Sequence, residues 1–487
     1  MLPYLEAGFT NIEINIDNII ETISEKFLSV TIDTEQIQAN WATLNFSSPK
    51  VQSLAKALSP CYIRVGGTTA DFLQFSPNSS YDRHRGHHPD YNHGNTINKV
   101  KFTNFTMTAR QWDELNQFVE TVGWDLIFDL NSLFRKNGLW LPDNAKLLMD
   151  YTSQKGYKIA GWELGNEPDI WRNMGYHING SNHAKDYGIL HSLLNQYPQW
   201  KNVEIIGPSV TMLTNLYTYE YLIDFLETEG PGIVTNPTFH HYYDAGPSMT
   251  VEKFMDPKLL DNLPTQINIA KNTARHPPYG KFWLGETSSA YGGGVAGLSD
   301  RYLAGFMWLD KLGISASLGI DTVVRQDFYG GNYGLIDTKT LDPNPDFWLS
   351  YLYNTLVGKS VFNVTVEDKS GYVRMYAHCT NTDRSIYKPG SLTFYGMNLK
   401  EEPTTVIFPQ FKQGVVLHVY MLQPVGKDSL KSKSVALNGK TLKLNPDYTL
   451  PNMFTPVIVS DNYTFPQQSF GFIVIPDVNA LSCDKKK

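Results

Sequence analysis

Hydrophobic runs of strand length recur along the first two thirds of the chain, and helical patterns separate them. Each run leads into a polar or glycine-rich loop, and the runs cover residues 27–33, 62–67, 124–131, 159–166, 203–209, 238–243, 281–286 and 321–328. Continuous apolar runs that alternate with helices are typical of parallel strands buried on both faces. Eight such runs predict an α/β fold, a closed (β/α)8 TIM barrel.

After about residue 360 the pattern changes to alternating apolar and polar positions. The alternating segments cover residues 371–379, 391–398, 415–422, 434–442 and 469–475, with turn pairs such as Asn438-Gly439 between strands. This pattern is typical of an antiparallel β-sandwich. Ile12, Ile14 and Ile16 also alternate, so we expect residues 1–26 to join the C-terminal sheet. The predicted domains are a catalytic barrel at 27–350 and a β-sandwich at 351–487 that takes in this N-terminal strand.

Two glutamates end predicted barrel strands. Glu167 follows the fourth run, in the sequence WELGNEP, and Glu286 ends the seventh run, in the sequence WLGE. Functional groups of a TIM barrel gather at the C-terminal ends of its strands, so both carboxylates should face one cleft. A protonated and an ionised carboxyl group suffice to hydrolyse a glycosidic bond, without a metal or an organic cofactor. The sequence therefore predicts a glycosidase, and a carboxyl separation of about 5–5.5 Å would indicate retention of configuration.

Composition limits the other classes of function. The chain has 487 residues, 41% hydrophobic and 18% charged, as expected for a globular protein of two domains. It contains no apolar run of about 18 residues and no basic stripe, so we predict no membrane span, no nucleic-acid partner and a monomer. Residues 76–98 contain His84, His87, His88 and His93 at irregular spacing, which favours a solvated loop over a metal site.

Sequons and cysteines bear on the cellular location. Asn-x-Ser/Thr sequons occur at Asn45, Asn78, Asn104, Asn179, Asn363 and Asn462, as on a secreted glycoprotein. The N-terminus lacks the basic and apolar segments of a secretory signal, so the signal is absent from this numbering or the protein is intracellular. Cys379 and Cys483 bracket the C-terminal region. The cysteine count alone fits both a bridge between them, with Cys61 left over, and three reduced thiols.

Several motifs resemble one enzyme family. The segments WELGNEPD at 162–169, WLGETSSAYGGG at 283–294, FMWLDKLG at 306–313, FLSVTID at 27–33 and FHHYY at 239–243 resemble glycoside hydrolase family 79, which includes heparanases and leech-type hyaluronidases. The resemblance runs from about residue 20 to the C-terminus. It implies an extracellular endo-β-glucuronidase acting on a glycosaminoglycan, with Glu167 as acid/base and Glu286 as nucleophile. It also implies a β-sandwich built from both chain ends and a Cys379–Cys483 disulfide.

Further positions match the sugar-binding pattern of that family. They are Asp33, Thr68, Lys99, Lys101, Asn166, Tyr291, Gly292, Gly293, Gln326, Asn332 and Tyr333. Glycines expose backbone N–H groups that can bind a uronate carboxylate, and the polar side chains can bind hydroxyls. For each glycine, a tight turn explains the residue equally well. Tyr242 is placed to hydrogen-bond the nucleophile, and His240 is either its neighbour in the site or a structural histidine.

The departures from heparanase concern basic residues. The segment after the fifth run, at 207–215, and the loop at 244–248 lack the basic residues of the mammalian heparanases, which leaves Lys99, Lys101 and Arg110. With a net charge of −7, the protein would repel a densely sulfated chain, whereas hyaluronan carries no sulfate. We therefore predict a hyaluronan endo-β-glucuronidase. The alternatives are a heparanase that cleaves heparan sulfate and a catalytically inactive glycosaminoglycan-binding homologue.

Overall fold

The computed structural model describes residues 8–79, 102–229, 232–274 and 280–484. The strands in these ranges are β1 Gly8–Thr22, β2 Leu28–Asp33, β3 Tyr62–Gly66, β4 Leu73–Ser76, β5 Phe105–Thr108, β6 Asp125–Leu130, β7 Arg135–Lys136, β8 Leu139–Trp140, β9 Ile159–Leu164, β10 Glu204–Val210, β11 Asn236–His241, β12 Asp244–Ala245, β13 Trp283–Thr287, β14 Ala290–Tyr291, β15 Thr322–Arg325, β16 Val357–Val366, β17 Val373–Thr380, β18 Leu392–Asn398, β19 Thr404–Ile407, β20 Val416–Pro424, β21 Val435–Leu437, β22 Lys440–Thr441, β23 Val457–Ser460, β24 Asn462–Phe465 and β25 Ser469–Ile475. The α-helices are α1 Glu35–Gln38, α2 Pro49–Leu58, α3 Ala109–Val122, α4 Asp143–Lys155, α5 Gly180–Leu194, α6 Leu216–Glu229, α7 Val251–Phe254, α8 Pro257–Leu260, α9 Asn262–Thr273, α10 Ala304–Ser317 and α11 Pro345–Leu356.

A closed parallel barrel forms the first domain. Its strands β2, β3, β6, β9, β10, β11, β13 and β15 pair in chain order, and β15 pairs back with β2. Each of the eight predicted hydrophobic runs overlaps one of these strands, so the TIM barrel prediction is confirmed. Most strand residues are buried, because the barrel interior covers one face and the surrounding helices cover the other.

An antiparallel sheet forms the second domain, and the first strand belongs to it as predicted. The strand order is β22-β21-β20-β25-β18-β17-β16-β1-β19-β24, with β23 paired to β20. The start of β1 pairs with β19, and its later part pairs with β16. The predicted segments correspond to β17, β18, β20, β21 with β22, and β25. Sequence reasoning missed β16, which follows α11 without an intervening turn, and also the short strands β19, β23 and β24.

Alternate residues of β25 serve two different cores. Ile473 and Ile475 lie in the sandwich core with Val406 and Phe465, while Phe472 belongs to the core shared with the barrel. This alternation is the two-residue period of a strand whose faces are both buried. One face of this sheet therefore packs within the second domain, and the other face packs against the barrel.

Helix α10 of the barrel packs closely against the sheet domain at two glycines. A Cβ on Gly305 would lie 2.3 Å from the Phe470 ring, and one on Gly313 would lie 2.2 Å from the Tyr376 ring. Residues eight positions apart lie on the same face of an α-helix, so both aromatic rings pack directly on the helix backbone. Because side chains at these positions would separate the helix from the sheet, the docking depends on both glycines.

Cys379 and Cys483 form a disulfide, as the resemblance implies. The bond ties the C-terminal 3-10 turn Leu481–Cys483 to β17, while Cys61 is a buried free thiol. No helix among the described residues is long and apolar enough to cross a bilayer.

Candidate active site

Glu167 and Glu286 lie at the C-terminal end of the barrel. Glu286 is within β13, and Glu167 lies just beyond the end of β9. One carboxylate oxygen of each residue and a ring nitrogen of His240 lie within 4.8 Å of one another. Retaining glycosidases have carboxyl groups about 5–5.5 Å apart, whereas inverting enzymes leave about 6.5–9.5 Å for a water molecule. The separation therefore fits a retaining mechanism.

The chain turns sharply between β9 and Glu167. Gly165 has φ +86°, and Glu167 itself adopts a left-handed conformation with φ +48°. A Cβ on Gly165 would lie 2.5 Å from the Trp171 ring, so only glycine fits. The Glu167 N–H donates to the Ser209 carbonyl oxygen at 3.0 Å and ties the turn to β10. Non-glycine residues at positive φ cost energy, and they are concentrated at functional sites.

Glu286 accepts hydrogen bonds on both carboxylate oxygens. The Tyr242 hydroxyl donates to Oε1 at 2.6 Å, and Arg64 Nη1 donates to Oε2 at 2.9 Å. Burial alone would raise the pKa of Glu286, but the charges of His240 and Arg64 and these two hydrogen bonds outweigh burial and lower it. Glu286 is therefore held ionised and in a fixed position, as an attacking nucleophile requires.

Glu167 has different surroundings. Its Oε1 lies 3.0 Å from His240 Nδ1, and its side chain remains 19% exposed. Burial raises the pKa of Glu167 and the charge of Glu286 raises it further, while the interaction with His240 opposes them only in part. Glu167 thus keeps its proton to a higher pH than Glu286 does. Displacement of the two pKa values in opposite directions separates a proton donor from a nucleophile.

A buried charge cluster centred on Arg64 supports both glutamates. Arg64 Nε donates to Glu163 Oε2 at 2.6 Å, Nη2 donates to Asn166 Oδ1 at 3.0 Å, and Nη2 lies 3.7 Å from Asp129 Oδ2. The side chains of Arg64, Glu163 and Asp129 are each no more than 1% exposed. Arg64 therefore connects Asn166, which precedes Glu167, to Glu286 across the barrel.

The sequence analysis missed this cluster, although the chain contains a signal for it. Arg64, Asp129 and Glu163 each interrupt an otherwise apolar barrel strand. Charged residues are almost never fully buried unless they are paired. Three ionisable residues in neighbouring apolar strands therefore point to one another inside the barrel.

Glu167, His240 and Glu286 are also the right residue types to bind a metal ion. Both Glu286 oxygens, however, already accept hydrogen bonds from Tyr242 and Arg64. The Arg64 guanidinium would also repel a divalent cation at this position. The arrangement therefore fits hydrolysis by two carboxyl groups better than it fits a metal centre.

Several predicted substrate-binding residues lie together beside Glu286. Gln326 Nε2 donates to Asp33 Oδ2 at 3.0 Å, and Gln326 Oε1 accepts a hydrogen bond from the Thr31 hydroxyl. Burial and the nearby charge of Glu286 raise the pKa of Asp33 well above its ordinary value. Thr68 begins the 3-10 segment after Gly67, at which a Cβ would collide with Asp33. The ends of β2, β3 and β15 thus form one polar wall.

The glycine loop after β14 forms a second part of this site. Gly292 and Gly293 have φ values of +80° and +88°, which favour glycine. The Asn332 N–H donates to the Gly293 carbonyl oxygen at 2.8 Å, so the glycine loop and the loop after β15 hold each other. The turn explains both glycines, and the binding of a uronate carboxylate by their N–H groups stays a prediction.

Three tyrosines meet above Glu286. The Tyr242 ring centroid lies 6.5 Å from that of Tyr291 and 6.4 Å from that of Tyr333. Tyr291 is 41% exposed, whereas Tyr242 and Tyr333 are buried. Aromatic faces beside a carboxylate suit the apolar faces of a sugar ring.

The two predicted substrate-binding lysines, Lys99 and Lys101, lie outside the described residues. His84, His87, His88 and His93 of the predicted solvated loop lie outside them too. A basic residue that the sequence analysis missed is Arg172, whose guanidinium carbon lies 3.5 Å from the centroid of the Tyr217 ring. Arg172 comes from the 3-10 segment after β9 and stacks on the start of α6, which follows the loop after β10, where the sequence carries no cation.

Comparison with solved structures supports the fold. A 4-O-α-L-rhamnosyl-β-D-glucuronidase from Fusarium oxysporum, 14% identical in sequence, matches with a TM-score of 0.65. The match covers 95% of this chain and 99% of that chain. At this identity the comparison shows a shared fold.

Comparison with protein sequences shows the family. Heparanase from Mus musculus is 38% identical over 503 residues, covering 95% of this chain and 92% of that protein. Hyaluronoglucuronidase from Hirudo nipponia is 34% identical over 506 residues, covering 97% and 99%. Inactive heparanase-2 from Homo sapiens is 34% identical over 532 residues, covering 97% and 89%. The model described as glycosyl hydrolase family 79, N-terminal domain, matches residues 10–313, and the chain therefore belongs to this family.

Proposed function

We propose that the protein is a retaining endo-β-glucuronidase that hydrolyses β-glucuronosyl bonds in hyaluronan. The observation that carries the proposal is the placement of Glu167 and Glu286 across one short gap, with a protein donor on each Glu286 oxygen and His240 beside Glu167. Both carboxyl groups are present with partners that suit their roles, which argues against an inactive binding protein. Glycosaminoglycan polysaccharides are thus the proposed partners.

The proposed reaction has two steps that use the same two residues. Glu286 attacks the anomeric carbon of a glucuronate residue while Glu167 donates its proton to the departing oxygen, which gives a covalent glycosyl-enzyme. Glu167, now ionised, then takes a proton from water, and the water oxygen displaces Glu286 with a second inversion. The two inversions leave the configuration at the anomeric carbon unchanged.

The preference for hyaluronan depends on the scarcity of free cations beside the catalytic pair. In the described part of the loops after β9, β10 and β11, Arg172 is a basic residue without a carboxylate partner, while Lys253 at the start of α7 pairs with Asp244 at 2.6 Å. A sulfated chain presents several anions per disaccharide, and the net charge of −7 opposes its approach. Hyaluronan, with one carboxylate per disaccharide, needs fewer cations.

Heparan sulfate is the second candidate substrate, because the chain is 38% identical to a heparanase. Incubation with hyaluronan and, separately, with heparan sulfate distinguishes the candidates when the new reducing-end sugar is identified. We expect cleavage of hyaluronan with glucuronate at that end. Cleavage of heparan sulfate alone would support the heparanase, and N-acetylglucosamine at the new end would exclude β-glucuronidase activity.

The test of the mechanism is the configuration of the first product. Proton NMR during the first turnovers should show the β-anomer of glucuronate before mutarotation, because two inversions restore the original configuration. The α-anomer as first product would contradict the retaining mechanism.

We further propose that the protein is secreted. All six sequon asparagines are exposed, namely Asn45, Asn78, Asn104, Asn179, Asn363 and Asn462. Disulfides such as Cys379–Cys483 persist in oxidising compartments. The protein isolated from its native source should lose mass after treatment with an N-glycosidase, and native protein without N-glycans would contradict the proposal.

A further inference from the structure

The two sides of the cleft have different tasks under the proposed function, on which this inference rests. The glucuronate that is attacked lies against Glu286, beside Asp33 and Gln326. The departing sugar lies on the side of Glu167, because Glu167 must protonate its oxygen. Residues of the loops after β9 and β10, which we call the leaving side, are therefore placed to bind the sugars beyond the cleaved bond.

Asp169 fixes the conformation of the leaving side. It belongs to the 3-10 segment Pro168–Met174, which begins directly after Glu167. The Asp169 carboxylate is buried and accepts hydrogen bonds from the Thr211 N–H at 2.9 Å and from the Thr218 hydroxyl at 2.8 Å. The loop that carries Glu167 is thus attached to the loop after β10.

Arg172 lies on the same side of this segment as Asp169, because residues three apart are aligned in a 3-10 helix. Its guanidinium carbon lies 3.5 Å from the centroid of the Tyr217 ring, near the start of α6. Stacking on an aromatic face restrains the guanidinium and leaves its N–H edge available. A planar fork of N–H donors matches the two oxygens of a carboxylate.

The charge of Arg172 is not neutralised by a neighbour that the structure describes. Its side chain is exposed, and no carboxylate of the described ranges lies within ion-pair distance of it. Other cleft cations, such as Arg64 and Arg325, are buried in ion pairs. Arg172 is thus available to an anionic ligand, and it lies five positions after the proton donor in the chain.

The distance along the chain indicates which sugar it can reach. Arg172 lies five positions after Glu167, which corresponds to roughly 10 Å at about 2 Å per residue of 3-10 helix. In hyaluronan the first sugar after the cleaved bond is neutral N-acetylglucosamine, and the second is glucuronate. We propose that Arg172, supported by Tyr217, binds the carboxylate of this second leaving-side sugar.

The experiment compares two synthetic hyaluronan oligosaccharides that differ at one group. Both place one scissile glucuronosyl bond over the catalytic pair, but the second leaving-side sugar is glucuronate in one and glucose in the other. For the unaltered enzyme we expect kcat/KM to be about two- to fivefold lower with the glucose analogue, mainly through KM, because an exposed charge pair contributes modestly and equally to substrate and transition-state binding.

Variants at Arg172 test whether this residue causes the difference. Arg172→Gln should cleave both oligosaccharides with the same kcat/KM, at the value that the unaltered enzyme shows for the glucose analogue. Arg172→Lys should retain part of the discrimination, since it keeps the charge and loses the planar fork. Lys412→Gln, which removes one exposed positive charge from the sheet domain, is the matched control and should discriminate like the unaltered enzyme.

The outcomes separate this inference from the proposed function. Equal kcat/KM for both oligosaccharides with the unaltered enzyme, or undiminished discrimination by Arg172→Gln, would overturn the assignment of Arg172 while leaving the glucuronidase intact. Absence of any cleavage of hyaluronan by the unaltered enzyme would overturn both. A circular dichroism spectrum of Arg172→Gln that matches that of the unaltered enzyme shows that the variant is folded.

Discussion

The nucleophile side of the cleft, around Glu286, consists of buried groups that hydrogen-bond to one another, whereas the leaving side, around Glu167, consists of loops with exposed side chains. Glu286 has a protein donor on each oxygen, and one of these donors, Arg64, is itself fixed by Glu163. Glu167 has His240 as its partner and retains some exposure. The two carboxyl groups are chemically identical and lie in one cleft, but the barrel holds them in different ways.

The difference follows from what each step of the reaction demands. A nucleophile must be ionised and aligned with one carbon atom, so fixed donors that preserve its charge are favourable. A proton donor must keep its proton and then release it to leaving groups of varied length, so partial burial with little charge compensation is favourable. Catalytic variants should therefore behave differently on the two sides.

The largest expected difference is between the amide variants of the two glutamates. Glu286→Gln should lower kcat by at least about 10⁴-fold on any glucuronide, because no covalent intermediate can form. Glu167→Gln should lower kcat by about 10²–10⁴-fold on hyaluronan, where the leaving group needs a proton. On an oligosaccharide that ends in an aryl β-glucuronide, the glycosylation step of Glu167→Gln should be nearly unimpaired, since an aryl oxide departs without a proton.

Stopped-flow release of the aryl group measures this step directly. Glu120→Gln, an exposed carboxylate on α3, is the matched control and should retain full activity on both substrates. The assignment of roles is contradicted if the aryl substrate rescues Glu286→Gln instead of Glu167→Gln.

The next largest effect concerns the buried cluster on the nucleophile side. Arg64→Met leaves Glu163, Asp129 and Glu286 without their shared cation, and we expect a loss of about 3–5 kcal/mol in the free energy of unfolding. Arg110→Met is the matched control, since Arg110 pairs with Glu114 at the surface and its loss should leave the free energy of unfolding nearly unchanged. Urea denaturation followed by tryptophan fluorescence measures both changes, and similar values for the two variants would mean that the cluster does not stabilise the barrel.

The same contrast explains which parts of the molecule the sequence could predict. The barrel follows from local patterns, because each strand carries its own apolar run and each catalytic glutamate ends such a run. Helix α10 illustrates the limit, because Gly305 and Gly313 have no visible role in the sequence until Phe470 and Tyr376 pack on them. Contacts between residues distant in the chain leave little trace in local periodicity.

The site shows the same limit. The partners Arg64 and Glu163 are 99 residues apart, and Arg172 of the 3-10 segment after β9 contacts Tyr217 at the start of α6. The sequence correctly shows that residues 211–215 contain no basic residue, but the structure brings Arg172 to this region from the preceding loop. Statements about the charge of a cleft therefore require the three-dimensional arrangement, because neighbouring loops of a barrel share one surface.

Tyr242→Phe should change the pH dependence on the nucleophile side alone. Activity requires ionised Glu286, so the acidic limb of the kcat/KM profile follows the pKa of Glu286. The Tyr242 hydroxyl lowers this pKa by donating to Oε1, so its removal should move the acidic limb to higher pH. The basic limb should stay in place. Tyr157→Phe is the control, because it removes a hydroxyl that is hydrogen-bonded to Asp113 far from the cleft, and it should leave the pH profile unchanged. An unmoved acidic limb in Tyr242→Phe would refute this role of Tyr242.

Of these variants, His240→Asn should have the smallest effect, and this effect should fall on the pH dependence of both carboxyl groups. His240 lowers the pKa of Glu167 through its hydrogen bond and charge, and its charge also lowers the pKa of Glu286. Its removal should therefore raise both pKa values and move both limbs to higher pH. His191→Asn, on the outer helix α5, is the control and should leave both limbs unchanged. Tyr242→Phe should move only the acidic limb, whereas His240→Asn should move both limbs. Movement of the basic limb alone in His240→Asn would show that His240 acts on Glu167 and not on Glu286.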